Sequence, residues 1–371
     1  MSASGFHGSR GVVSLADHAC EAPGATFQTM SNRPVTILGI ESTCDETGAS
    51  VVVDGHDVRS NVVASQVELH AKYRGVVPEI ASRAHIENIL PVVREALESA
   101  ACGFAELDAI AVAHRPGLIG SLLIGVTAAK SLAWSLEKPL IGVDHVHAHL
   151  YSVVLDSNQS PAFPALGLVV SGGHTALYDV RGWTDVTLIG STIDDAVGEA
   201  YDKVAAILGL GYPGGPVIDK LAQQGDGRAV EFPRSLLGRD SLDFSFSGLK
   251  TAVLYHVRGV PGRVREPNDA PAKIEDICAS FQAACVDTIV KKLRRGVART
   301  GAQSVIIGGG VSANSGLRDA LQRFDLPVYF PPLRYCTDNA AMSAGLAHVY
   351  YGDRAFSGLD LDAVTYSQFR R

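Results

Sequence analysis

The sequence predicts a two-lobed α/β fold made by duplicating one supersecondary unit, with a cleft between the lobes. Three observations carry this reading. Runs of β-branched and apolar residues come as three successive strands followed by alternating helices and strands, and this order occurs twice along the 371 residues. Apolar residues make up 46% of the chain and charged ones 19%, enough to fill more than one core. Glycine-rich loops fall at predicted strand ends in the second half, where α/β folds hold ligands.

In the first half, strands at residues 34–40 and 48–54 flank the polar turn Glu41-Ser42-Thr43-Cys44-Asp45-Glu46-Thr47, and a third extended run covers 58–67. Residues 78–100 have helical spacing through Ile80, Ala84, Ile89, Val93 and Leu97, and Pro91 inside them predicts a kink or a break. A strand (108–113), a helix (118–136), a strand (140–144) and a helix from about His145 complete the half. The second half gives strands at 166–171, 175–180 and 186–189, then helices from Asp194 and Gly215. After an insert containing Phe244, Phe246 and Lys250 come a long helix (272–300), a strand (304–307), a helix (313–324), a short strand and a last helix (338–350).

A three-stranded meander plus crossovers, used twice, is the plan of the actin, Hsp70 and sugar-kinase fold, a duplicated ribonuclease-H-like unit. A doubly wound Rossmann-like sheet is the alternative. The expected division puts 34–146 with 347–371 in the first lobe and 147–346 in the second. Residues 1–33 are read as a disordered N-terminal extension, with Met30 a candidate start.

Acidic residues outnumber basic ones by 39 to 32, a net charge of −7, which argues against a strongly basic nucleic-acid binder but not against a local basic patch. Lys291, Lys292, Arg294, Arg295 and Arg299 crowd one predicted helix; such a run reads first as a solvated face. No stretch nears the roughly 18 continuous apolar residues of a membrane span. Six cysteines form no CxxC pair and the first 33 residues hold no signal-peptide core, so reduced thiols and a cytoplasmic location are expected.

His145 and His149 lie at i, i+4 on one helical face, a spacing that lets two imidazoles converge on an ion; a surface or capping role is the competing reading. His147 points away. A third ligand must come from elsewhere, and a carboxylate such as Asp338 would suit. Val146 follows the first histidine where a metalloprotease needs glutamate, so that chemistry is missing. The one GxGxxG match, Gly209-Leu-Gly211-Tyr-Pro-Gly214, follows a helix and lacks the dinucleotide context, and no Gly-Lys exists for a phosphate-binding P-loop. Better placed are Val170-Ser171-Gly172-Gly173-His174-Thr175, either an anion-binding loop or a plain hairpin turn, and Gly308-Gly309-Gly310-Val311-Ser312-Ala313-Asn314, either a phosphate site or a capped helix start. Tyr212-Pro213-Gly214-Gly215-Pro216 is a third such turn.

Several of these segments, Glu41 to Thr47, Ser171 to Thr175 and Tyr212 to Pro216, together with Gly75-Val76-Val77-Pro78-Glu79, Asp194-Asp195-Ala196, Tyr201-Asp202-Lys203, Phe244-Ser245-Phe246-Ser247-Gly248-Leu249-Lys250 and Cys336-Thr337-Asp338-Asn339-Ala340, resemble the tRNA adenosine threonylcarbamoyltransferase family, once known as O-sialoglycoprotein endopeptidases. The resemblance spans about residues 34–351 in the family's order. It implies an actin-like fold and transfer of threonylcarbamoyl from its adenylate to the exocyclic amine of the adenosine 3′ to the anticodon, in tRNAs reading codons that begin with A. It further implies His145, His149 and Asp338 as ligands of one divalent metal, Fe(2+) or alternatively Zn(2+). Val169, Val170, Ser171, Gly172, Gly173, Asp202, Gly215, Asp219 and Asn314 are implied as contacts to the adenylate. Ser171 to Gly173 amides are expected to add donors near the acyl group, and no proton acceptor stands out. The implied partners are tRNA, an inactive paralogue forming a heterodimer and a small ATPase of the same pathway. Arg74 and Arg115 stand where the family usually has glycine. A phosphotransferase or a non-enzymatic scaffold of the same fold would not need the histidine pair.

Overall fold

The computed structural model describes residues 33–73, 75–157, 159–261 and 272–369. The expected extension through residue 32, including Met30, and the glycine replacement Arg74 lie outside them.

Strands β1 (Thr36–Glu41), β2 (Glu46–Val53) and β3 (Asp57–Ser65) form an antiparallel meander, and β4 (Ala109–Arg115) and β5 (Leu140–Asp144) extend it in parallel beyond β1, giving the order β3-β2-β1-β4-β5. The second half repeats this with β6 (Ala165–Val170), β7 (Thr175–Gly182), β8 (Asp185–Ser191), β9 (Ser304–Gly308) and β10 (Val328–Tyr329), in the order β8-β7-β6-β9-β10. The two sheets therefore share one topology, as the repeated element order predicts.

Because a strand's side chains alternate, β1 sends Ile37 to one face and Leu38 and Ile40 to the other, and both faces are covered. After the short α1 (Val67–Ala71), α2 (Pro78–Ser99) and α3 (Ile119–Ser135) cover the Leu38 face. The helix α4 (His145–Tyr151) leaves the end of β5 and lays Val146 and Leu150 into the core of the second sheet. In the second half α5 (Val197–Ile207), α6 (Gly214–Ala222), α7 (Ser247–Arg258), α8 (Ile274–Thr300) and α9 (Ser315–Leu321) precede α10 (Ala340–Gly352). That last helix returns to the first sheet, so close to β1 that a Cβ on Gly39 would fall 2.4 Å from the Ala340 carbonyl.

Two expectations are corrected. Of the kink or break expected at Pro91 the break does not occur, since α2 runs on through it. Pro91 and Glu87 are both exposed, so water can meet the carbonyl that loses its donor while Ile89, Val93 and Leu97 keep their packing. The helix expected over 313–324 is split into a 3-10 turn at Gly310–Ala313 and the shorter α9, because Asn314 caps α9 by accepting the Leu317 amide at 2.9 Å. No helix among the described residues is long and apolar enough to cross a membrane.

Candidate active site and metal centre

The parallel strand β5 ends at Asp144, which caps α4: its Oδ1 accepts the Val146 and His147 amides at 3.0 and 3.3 Å. Its Oδ2 accepts the Ser367 hydroxyl at 2.7 Å and the Gln368 amide at 2.9 Å, so one carboxylate fixes both the helix start and the returning tail. The helix then presents His145 and His149 on one side, ring centroids 4.6 Å apart. Asp338, just before α10, meets them: Oδ1 lies 3.1 Å from His149 Nε2 and 3.6 Å from His145 Nε2. One ligand atom from each residue lies within 4.8 Å of the others. Two imidazoles and a carboxylate at this spacing fit a divalent cation with open positions.

The electrostatics match a site built for positive charge. Burial raises Asp338, but the imidazoles of His145 and His149 outweigh it and hold the carboxyl well below the usual range. Burial lowers His145, yet Glu41 and Asp338 prevail and push it up to about 9. His149 is lowered by burial and by His145, against its bond to Asp338. His174, in the β6–β7 hairpin, is pushed down to about 4 by burial and then by His145 and His149, which sets it beside the same cluster. His147 faces elsewhere, with Nδ1 3.1 Å from the Tyr350 hydroxyl and its ring against Phe369.

The glycine loops gather at the ends of β6 and β9. A Cβ on Gly309 would strike the Val170 carbonyl at 2.4 Å, one on Gly308 the His149 carbonyl at 2.3 Å, and Gly309 has φ +90°, so glycine is required for the loop to pass between the strand end and α4. Gly172, Gly173 and Gly215 differ: a Cβ on any of them would meet nothing within 4 Å. Asp202 accepts the Gly214 amide at 2.7 Å and holds the 212–216 turn. Asp219 accepts Ser315 Oγ at 2.8 Å, Gln282 Nε2 at 2.9 Å and Asn314 Nδ2 at 3.1 Å, and Asn314 Nδ2 also donates to Gln282 Oε1 at 2.7 Å. The Cys44 to Glu46 loop, between β1 and β2, comes within electrostatic reach of Asp338, Asp202 and Tyr212. Glu46 is pushed up to about 10 by burial, then by Asp338 and Asp45, and Tyr212 up to about 12 by burial, then by Asp45 and Asp202.

Two expectations change. The Ser171 amide is not a donor to a ligand, because it donates to the His174 carbonyl at 2.8 Å and closes the hairpin. Only the Gly172 and Gly173 amides of that loop remain for such a role. Val169 and Val170 are wholly buried strand residues that carry the loop. The basic run on α8 is not a solvated face throughout: Lys292 is fully buried, its Nζ donating to the Leu236 and Ser241 carbonyls at 2.8 and 2.7 Å, and Arg295 donates to the Gly238 carbonyl at 2.8 Å. Sequence reasoning gave no individual role to Glu41, His174, Gln282 or Ser315. For Glu41 the signal was present, since an acid closing an apolar strand must be paired if it is buried.

Two mixed sheets of one topology define an actin, Hsp70 and sugar-kinase class of two-lobed protein. Solved structures agree at the level of fold: HypF of T. kodakarensis (TM-score 0.56, 16% identical, 86% of this chain and 49% of that one) and component A of the Acidaminococcus fermentans (R)-2-hydroxyglutaryl-CoA dehydratase (0.50, 15%, 86% and 99%). Within that class the chain belongs to the tRNA N6-adenosine threonylcarbamoyltransferase family, whose model matches residues 57–345. Relatives of that name are 53% identical in Trichlorobacter lovleyi (89% of this chain, 95% of the relative) and 51% in Moorella thermoacetica (88% and 95%). The chain is therefore a transferase that modifies tRNA.

Proposed function

We propose that the chain transfers threonylcarbamoyl from threonylcarbamoyl-adenylate to the N6 amine of the adenosine 3′ to the anticodon in tRNAs reading ANN codons, releasing AMP. The observation that carries this reading is the meeting of a His145, His149 and Asp338 cluster with open glycine loops in one cleft. An exocyclic adenine amine is a weak nucleophile, so the carbamoyl carbon must be made more electrophilic. Bound by the three residues, a divalent cation would supply Lewis-acid polarisation of that carbonyl. Two nitrogens and one oxygen with open positions favour Fe(2+), with Zn(2+) the alternative.

The chain's own residues then divide the work. Gly172 and Gly173 amides, with open space above them, are suited to donate to the acyl oxygen or phosphate, and Asp202 holds the Gly215 turn against the nucleotide side. Val169, Val170 and Ser171 carry the loop; Asp219 and Asn314 fix the start of α9 beneath the adenylate. The amine nitrogen attacks the carbamoyl carbon, the bond from that carbon to the phosphate oxygen breaks, the amine loses one proton to water, and AMP leaves past the glycine loops.

The same reading makes the protein cytoplasmic, with tRNA, an inactive paralogue and a small ATPase as partners. Support for a protein partner is the helix pair α2 and α3, which leaves Ile86, Leu90, Ile119 and Leu123 exposed beside an apolar cavity of about 470 Å³ lined by Leu90, Val93, Leu97, Phe104 and Leu132. The test is the His145→Ala/His149→Ala double variant, assayed with purified adenylate and unmodified tRNA by nucleoside mass spectrometry. It should lose metal and transfer while staying folded and binding adenine nucleotide. Substantial transfer by the metal-free variant would return both histidines to a structural role.

A further inference from the structure

One buried charge near the site has no part in the chemistry just given. Glu41 ends β1 with no exposed surface, and a buried carboxylate is costly unless its oxygens are met. Its Oε1 accepts the Thr43 amide at 2.9 Å. Its Oε2 lies 3.2 Å from His145 Nδ1 and accepts the Ser343 hydroxyl at 3.4 Å. Both Glu41 oxygens stand as acceptors here, Oε1 to the Thr43 amide and Oε2 to the Ser343 hydroxyl, so Oε2 is placed to accept from a His145 Nδ1–H as well, and Thr43 Oγ1, 3.2 Å from the same nitrogen, can accept from it or turn away.

The consequence crosses the ring. A neutral imidazole protonated at Nδ1 has its lone pair on Nε2, the atom that faces Asp338. His149 stands differently. Its Nε2 also faces Asp338, but its Nδ1 is buried with no hydrogen-bond partner among the described residues. To coordinate through Nε2, His149 must keep a proton on an Nδ1 that has no acceptor among the described residues, whereas His145 keeps its Nδ1 proton hydrogen-bonded to Glu41 Oε2.

We propose that Glu41 is a positioning residue that locks His145 with its Nε2 lone pair toward the ion, making His145 the anchoring ligand and His149 the weaker one. This rests on the metal reading above. It predicts unequal ligands from hydrogen bonding alone, although both histidines sit on one helix and touch one carboxylate.

The test uses the full chain with Zn(2+) as probe. Long-range proton–nitrogen correlation on the nitrogen-15-labelled, zinc-loaded wild type should show His145 protonated at Nδ1; a proton on Nε2 overturns the proposal. Glu41→Gln keeps an oxygen for the Thr43 amide but turns an N–H toward His145 Nδ1. That nitrogen must then accept, which drives the ring proton onto Nε2 and blocks coordination. Compared above pH 9, where the wild-type ring has also lost its extra proton, zinc affinity should fall about 10- to 100-fold. A folded Glu41→Gln protein with wild-type zinc affinity sinks the inference. Should that variant fail to fold, the wild-type spectrum decides, together with His145→Ala and His149→Ala: His145→Ala must lose more affinity, and an equal or reversed order refutes the proposal. Wild type that takes up no zinc refutes the metal reading itself, whereas uptake indifferent to Glu41→Gln refutes only the role of Glu41.

Discussion

Loading a divalent cation into the metal-free protein at pH 7 should expel about one proton, and His145 should be its source. Glu41 and Asp338 overcome the effect of burial and push His145 up to about 9, so the metal-free imidazole is charged at neutral pH. A group with that value is about 99% protonated at pH 7, and coordination requires the neutral ring, so roughly one proton must leave. His149 is lowered by burial and is already neutral; Asp338, held well below the carboxylate range, is already ionised. Neither adds to the count. Two histidines of ordinary value would instead release about 0.5 proton between them. Because the ion competes with one proton, apparent affinity should climb roughly 50-fold between pH 7 and 9, about 2.3 kcal/mol. Calorimetric titration with Zn(2+) in two buffers of different ionisation enthalpy gives the proton count, and chelator competition gives the affinity. A count near 0.5, or an affinity flat across that range, would refute the charge balance assigned to the cluster.

Without metal, the raised His145 stabilises the fold fully below about pH 6.5 and loses that contribution as pH rises through about 9. His147 and His174, both lowered to about 4 mainly by burial, take protons on unfolding, so they cost stability as pH falls below about 6.5. Urea midpoints of the metal-free protein should therefore peak near pH 6.5 and drop on either side. Gly308→Ala drives a Cβ onto the His149 carbonyl and should cost about 1–3 kcal/mol with weaker zinc binding, whereas Gly172→Ala, facing open space, should leave the melting temperature unchanged and weaken only an adenylate analogue. Scanning calorimetry and ligand titration separate the two. Lys292→Met leaves the Leu236 and Ser241 carbonyls with only the longer bonds from Arg295 Nη1, at 3.2 and 3.3 Å, and should cost about 1–2 kcal/mol in chemical denaturation while zinc affinity stays at the wild-type value.

The strands and the histidine pair were legible because both rest on short-range signals: continuous apolar runs for β1 and β6, and the i, i+4 spacing of His145 and His149. What escaped was set by distant chain. Lys292 belongs to a basic run that reads as a wet face, and only the carbonyls of Leu236 and Ser241, more than fifty residues away, bury it. Glu41 reads as the first residue of a polar turn until Thr43, His145 and Ser343 surround it. Pro91 reads as a helix breaker because local sequence does not show that its vacant side faces water. Of the two readings of the 308–314 loop, the capped helix start is the one seen: Asn314 Oδ1 caps α9, while its Nδ2 joins the Asp219 network.

The clamp at Asp144 and the contact between His149 and Asp338 have a consequence for how the protein is made. His149 and Asp338 are 189 residues apart, and Asp144 and Gln368 are 224 apart. At ribosomal speeds of about 5–20 residues per second, roughly 10 to 40 s pass between synthesis of the histidines and synthesis of their carboxylate. Through that interval the Ala340 face of β1 is bare, the start of α4 lacks its anchor at Ser367, and the imidazoles lack Asp338. The first sheet therefore cannot finish as an independent early unit, and the proposed metal cluster is assembled only when almost the whole chain has been made.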